Sequence, residues 1–398
     1  MERKTTESKS DAYSKYRNKT QSREQRAKKR RKSRIIKSIF WVAVLGIAAW
    51  FFLFGNDVFS FSGIKQYFSE VFTGSAADSV AELNGTSVKD VHILGSDMLV
   101  LSDVGAMLMS KSGGESLAVQ HGCTDPAISS SGNRFIIFDR GGNRFEVYNK
   151  LGLRHEGVTE YPIIDAAIAS DGQYVLITGS KSYHNEVHYY NVEGEEKYTW
   201  YSAENYVYKA AVKSNGKSFA VLGMNTDSGE IYSYAFIFDP SSKAEPIKVE
   251  VGGNICYTLS YKGSDLTVIG KTAAYCVSLS GEIKNSYEYG EKELKGYTDM
   301  GKRSVLVFSK YGVGREHTLV ILDSAVKEKR AADLQVDFRS VTANEKNITV
   351  LGSHEVYVYS KSLGLKGSAE ISADGTYACT IGKNIFVFSV GSISKLTY

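Results

Sequence analysis

Apolar positions along the chain fall into two regimes. The first is a single run, 39–54, that includes Ile39, Trp41, Trp50 and Phe54 and no charged residue. Ile35 and Ile36 extend it, and Lys37 can reach the lipid headgroups by its aliphatic stem. Together these give about 20 residues, enough for one helix over 35–54 to cross a hydrocarbon core of roughly 30 Å. Beyond it Ile64, Tyr67, Phe68, Val71 and Phe72 recur at helical spacing, which predicts a short amphipathic helix at the membrane surface within a juxtamembrane segment, 55–78. Thr73-Gly74-Ser75-Ala76-Ala77 closes that segment as a flexible link.

From residue 79 onward the pattern changes to short apolar strands between polar turns. Apolar strands at 98–101, 135–138, 174–177, 219–222, 266–269, 305–308, 348–351 and 377–381 are each followed by a partner, at 107–109, 145–148, 187–190, 234–238, 274–277, 319–322, 356–359 and 385–388. Ser131-Gly132, Asp171-Gly172, Asn215-Gly216 and Asp374-Gly375 precede several of these hairpins as turns that demand positive φ. Upstream lie short strands of small residues, 166–170 and 210–213, suited to a crowded axis. A repeat near 40 residues with four short strands per unit predicts a β-propeller. The fold class is therefore all-β, with a seven- or eight-bladed β-propeller ectodomain, 79–398, behind a single N-terminal transmembrane helix. The last interval, from 348 to 377, is shorter than the others and leaves the blade number open. A strand at 79–83 is expected to pair beside the C-terminal hairpin and cover its edge.

Charge gives the helix its direction. Residues 1–34 form a basic tail of 14 Lys or Arg against four acids, densest at Lys28, Lys29, Arg30, Arg31, Lys32 and Arg34. By the positive-inside rule the tail stays in the cytoplasm and the C-terminal domain is extracytoplasmic. With Lys37 the N-terminal side carries +11 of a whole-chain charge of +4, so the exported part is acidic, at −7. Cleavable signal peptides share this order, but 51–60 is bulky or polar and Ala76-Ala77 lies too far beyond the run for a cleavage site, so the helix reads as a retained signal anchor. No lipidation cysteine flanks it. The tail reads as a disordered topogenic segment whose partner is the lipid bilayer, and no nucleic acid is expected.

The repeat grammar resembles quinoprotein-like (PQQ-like repeat) and WD40-like propellers. Tail, anchor and propeller together resemble an uncharacterised family of single-pass membrane proteins from Firmicutes, known as a domain of unknown function. The resemblance includes Trp200-Tyr201-Ser202-Ala203-Glu204-Asn205-Tyr206-Val207 before the Ser214-Asn215-Gly216-Lys217 turn, and Ser309-Lys310-Tyr311-Gly312-Val313-Gly314. It implies a fold and a cell-membrane location, and no activity.

Candidate chemistry is sparse. Gly194-Glu195-Glu196-Lys197-Tyr198-Thr199-Trp200 echoes a quinoprotein repeat tail, yet Trp200 is the one tryptophan outside the helix and adjacent cysteines are absent, so no cofactor is assigned. His184-Asn185-Glu186-Val187-His188 runs into a strand, where residues four apart lie about 13 Å apart and make poor joint metal ligands. Gly312-Val313-Gly314 lacks the third glycine and the following helix of a nucleotide loop. Asn225-Thr226-Asp227-Ser228-Gly229-Glu230 alternates oxygen ligands without the acids of an EF-hand. No Gly-x-Ser-x-Gly elbow presents a serine. Cys123, Cys256, Cys276 and Cys379 read as buried free thiols, Cys256 and Cys276 being two strands apart in one blade. The remaining signal is tyrosine, 26 in all, with Tyr183, Tyr189, Trp200 and Tyr201 forming a candidate aromatic binding surface. The chain is thus expected to be a noncatalytic binding or scaffold module for an envelope protein or cell-wall glycan. The alternatives are an accessory or sensory subunit of a membrane complex and an enzyme with an unrecognised propeller site.

Overall fold

The structure, a computed structural model, describes residues 81–82, 86–242, 244–310, 314–371, 375–389 and 392–398. The basic tail, the span 35–54, the amphipathic segment, the Gly312-Val313 pair and Asp374 lie outside the described residues. Among the described residues no helix is long and apolar enough to cross a membrane.

The described residues form eight four-stranded antiparallel sheets, an eight-bladed β-propeller. Their innermost strands are Val88–Leu94, Pro126–Ser131, Ile163–Ile168, Tyr206–Val212, Cys256–Lys262, Glu293–Met300, Phe338–Ala343 and Tyr377–Ile381, for blades one to eight. In blades one to seven the apolar pairs read from the sequence are the second and third strands. The second are the most covered, and Tyr174–Thr178 is buried at every position. Neighbouring sheets pack face to face, so a central strand has no solvent side and needs no alternation. Outermost strands such as Glu115–Gln120 and Leu365–Glu370 keep an exposed residue at alternate positions, as a half-covered edge requires.

The shortened last interval has a register cause. Tyr377–Ile381 is the innermost strand of blade eight, not its second strand, which is Asn384–Ser389. Measured from Asn347–Gly352 to Asn384–Ser389 the spacing is regular. The outermost place in blade eight is taken by Ala81–Glu82, which pairs with Ser392–Thr397 through Ala81 opposite Ile393. This is the expected closing strand.

Two devices shape the axis. Six innermost strands carry a register shift near their start, at Val88/Asp90, Ile163/Asp165, Val207/Lys209, Cys256/Thr258, Leu294/Gly296 and Phe338/Ser340. A bulge bends the strand and re-aims the next side chains, here Asp90, Asp165 and Lys209, which line the channel. Tight turns then lead to the second strands, and Gly132 and Gly216 take φ of 60° and 65° there, where a β-carbon would be strained. Adjacent blades are latched at the axis by side chains bonding the neighbour's backbone. The Tyr208 hydroxyl donates to the Cys256 carbonyl at 2.7 Å, Thr342 to that of Ala378 at 2.6 Å, and Tyr377 to that of Lys89 at 2.6 Å.

Candidate functional site

The top face is the end of the ring where the innermost strands begin. Loops from second to third strands, and from outermost strands to the next blade, emerge there. At the junction of blades three and four these loops present a cluster of exposed aromatic rings. Tyr183, Tyr201 and Tyr206 are 46%, 49% and 55% exposed. The Tyr183 and Tyr201 rings lie 5.0 Å apart, tilted by 38°, and His184 packs on Tyr206 at 4.0 Å.

Local bonding explains why these rings face solvent. Ser180 donates to Glu186 at 2.7 Å and caps the 182–183 turn by accepting from the backbone N–H of Tyr183 at 3.4 Å. The His184 N–H extends the sheet by donating to the Ser202 carbonyl at 2.9 Å. On the third and outermost strands, Asn185–Tyr190 and Glu196–Ser202, facing alternates residue by residue. Tyr201 therefore points out, whereas Trp200 packs 5.1 Å from Phe236 and donates its indole N–H to Glu245 at 3.1 Å. Tyr189 is buried, stacked on Phe219 at 5.5 Å with its hydroxyl donating to the Gly216 carbonyl. Of the four residues singled out in the sequence, the structure brings Tyr183 and Tyr201 together at the surface. Tyr189 and Trp200 are placed in and beside the core between blades three and four. Tyr206 and His184 were not singled out as members of the surface; Tyr206 opens the innermost strand of blade four, and the half-buried His184 lies just before the third strand of blade three.

The other motifs resolve into ordinary structure. His188 is held between Glu186 at 3.4 Å and Glu196 at 3.2 Å, far from the Tyr206 contact of His184, so the two histidines serve different surroundings. Residues 225–230 form the tip of a long hairpin between Phe219–Asp227 and Glu230–Phe238, with Ser228 and Gly229 both at positive φ. All four cysteines are free, and Cys256, Cys276 and Cys379 are buried. Burial pushes the Cys256 thiol up to about 11 and that of Cys379 up to about 12. Such thiols are inert small hydrophobes.

A second feature lies on the axis, a cavity of about 820 Å³ lined by the innermost strands of blades one to six. Within it Asp165 is almost fully covered. It accepts from the Lys209 ammonium at 2.9 Å and from the Ala210 N–H at 2.8 Å. Burial raises its carboxyl above the ordinary range even so, with Lys209 and the Ala210 N–H opposing. Asp90 shows the reverse balance. Burial pushes its carboxyl up, but the bond to His92, the Val91 N–H and the charge of Lys209 outweigh it and hold it low. Asp90 Oδ2 lies 3.3 Å from His92 Nε2, and His92 Nδ1 lies 2.6 Å from the Ser130 hydroxyl of blade two. Sequence reading missed this chain because Ser130 and His92 are 38 residues apart and share no local motif.

The family described as "Family of unknown function (DUF5711)" matches residues 69–397. Among solved structures the chain is similar to the C-terminal WD40 domain of Sif2, at 12% identity and a TM-score of 0.57, covering 80% of this chain and 98% of that one. It is also similar to a structure described as the eukaryotic initiation factor, at 10% identity and a TM-score of 0.50, covering 75% of this chain and 81% of that one. BamB from Moraxella catarrhalis aligns at 11% identity and a TM-score of 0.49, over 80% of this chain and 100% of that one. At such identities the likeness concerns the fold alone. Among curated proteins none matches the sequence.

Proposed function

For a chain that belongs to the DUF5711 family of unknown function, we propose a membrane-anchored, extracytoplasmic propeller that binds an envelope protein or a cell-wall glycan through its top face. The observation that carries this reading is the cluster of exposed Tyr183, Tyr201 and Tyr206 rings, with the half-buried His184 packed on Tyr206. Large aromatic side chains left in water at a loop-rich face supply contact area at low entropic cost and are enriched where partners bind. On this reading binding at the face is noncatalytic.

The anchoring half of the proposal rests on the apolar run with Ile39, Trp41, Trp50 and Phe54 behind Lys28, Lys29, Arg30, Arg31, Lys32 and Arg34. That order places the N-terminus in the cytoplasm and the propeller outside. The bilayer is then a partner of the helix, and the acidic ectodomain has no nucleic-acid role.

A photo-crosslinking residue at the exposed position Lys181, beside the rings, tests the binding face in intact cells. It is expected to capture one predominant protein or glycan, and Tyr183→Ala with Tyr201→Ala to reduce that capture by about tenfold or more, as loss of a hot spot does. Capture that is indifferent to the double substitution would remove the top face from the proposal.

A further inference from the structure

The geometry at the axis points to a second site that goes beyond the binding role. We infer that Ser130, His92 and Asp90 form an acyl-transfer site in the axial cavity that hydrolyses small polar carboxylic esters.

The three groups are arranged as an activated serine requires. Asp90 and His92 lie two apart on Val88–Leu94, hence on one face of that strand, turned toward blade two. Asp90 is fixed at both oxygens, by the Val91 N–H at 2.7 Å and by His92 Nε2 at 3.3 Å. An ionised carboxylate at Nε2 sets the tautomer with hydrogen on Nε2, and leaves Nδ1 as the lone-pair base facing the Ser130 hydroxyl at 2.6 Å. Several other latches at the axis end on backbone carbonyls, and Lys209–Asp165 is an ion pair; the Ser130–His92 bond differs from both. This one runs from side chain to side chain, continues to a carboxylate, and lines a cavity whose volume suits a small molecule. Ser129, Thr258 and Ser260 line the same cavity and give it a polar wall.

A donor for the developing oxyanion is supplied by Ser130 itself. The two-residue turn after Ser131 makes Ser131 and Arg134 the hydrogen-bonded pair of the hairpin, which turns the Ser130 N–H away from its neighbouring strand and toward the channel. In the reaction Ser130 Oγ attacks the ester carbonyl carbon while Nδ1 takes the hydroxyl proton. Collapse of the tetrahedral intermediate expels the alcohol, which leaves with that proton, and an acyl ester remains on Ser130. Water then attacks the acyl group, giving its proton to Nδ1. The carboxylic acid departs and Ser130 recovers its hydrogen, so the sum is ester plus water to acid plus alcohol.

The test uses the full-length protein in detergent, a fluorophosphonate as covalent probe and p-nitrophenyl acetate as substrate. A phosphonyl adduct on Ser130, located by mass spectrometry, is expected. His92→Gln should slow its formation by about 100-fold or more, the worth of a positioned base. Asp90→Asn should slow it too, and Ser130→Ala should abolish ester turnover while circular dichroism shows the folded β signal. Absence of a Ser130 adduct, or an adduct formed equally fast in His92→Gln, overturns the inference. Lowered thermal stability of Ser130→Ala without any adduct in the parent does the same and leaves the pair as an inter-blade latch. Crosslinking at Lys181 is independent of these variants, so either site can fail alone.

Discussion

Replacing Lys209 with methionine isolates what holds a charge at the centre of the ring. Asp165 sits under the inner rim with its side chain 5% exposed, whereas its partner Lys209 is 38% exposed. Removing the ammonium leaves the carboxylate with the Ala210 N–H at 2.8 Å and the more distant charge of Arg140. Breaking a fully buried pair costs about 3–5 kcal/mol. The retained N–H and the partial exposure of Lys209 reduce that to about 2–3 kcal/mol at neutral pH. For a domain this large, about 2 °C per kcal/mol converts the loss to a melting point lower by about 4–6 °C. The pH dependence has a fixed sign. The Asp165 carboxyl already lies above its unfolded value, and loss of Lys209 moves it further up. The folded state then holds its proton more tightly than the unfolded chain does. The penalty is therefore full above the raised folded pKa and shrinks as pH falls through it toward the unfolded value. Melting followed by circular dichroism at pH 8 and pH 5 reads this directly. Asp165→Asn in the same background should restore most of the loss at pH 8. An equal drop at both pH values, or no recovery in the double variant, would refute the assignment of the cost to a stranded carboxylate.

Two further outcomes follow from the packing. At Gly296, beside the bulge of blade six, an added β-carbon would lie 2.6 Å from Cζ of Phe338 and 3.4 Å from Cγ1 of Val341, so Gly296→Ala should destabilise by about 1–3 kcal/mol in urea unfolding. An unchanged midpoint would show that the Phe338 ring swings aside freely. Cys256 and Cys379, whose thiols burial pushes up to about 11 and about 12, should resist iodoacetamide at pH 8 in the native protein and react fully after unfolding. Native-state alkylation of either would mean that the blade opens.

The blade repeat was legible because second strands buried on both faces write themselves as apolar runs, and because turns such as Ser131-Gly132 require a residue that accepts positive φ. Blade number was not legible, for a physical reason. Innermost strands of the early blades carry channel residues such as Asp90, Asp165 and Lys209 and read as mixed. Tyr377–Ile381 does not line that cavity, buries Ala378, Cys379 and Ile381, and therefore imitates a second strand. The aromatic surface was half legible. Clustered tyrosines marked the region, but which ring faces water is decided by a one-residue alternation, with Tyr201 out and Trp200 in, that composition does not encode. The axial chain from Asp90 to Ser130 joins two blades, and only the packing of blade one against blade two brings its members together.

Closure itself separates two roles that a sequence-level view would merge. Among the described residues Ala81–Glu82 supplies two paired positions at the outer edge of blade eight. Blades one and eight are also held by direct contacts. Tyr377 bonds the Lys89 carbonyl at 2.6 Å, Asn384 bonds that of Lys111 at 3.2 Å, and Cys379 Sγ lies 3.2 Å from Met98 Sδ within a shared core. The strand covers the otherwise open edge of blade eight. Its direction matters for the binding face. Antiparallel to the third strand of blade eight, it runs toward the top. The rings of Tyr183 and Tyr201 belong to blade three, so a ligand seated on them does not compete with this strand for the edge of blade eight.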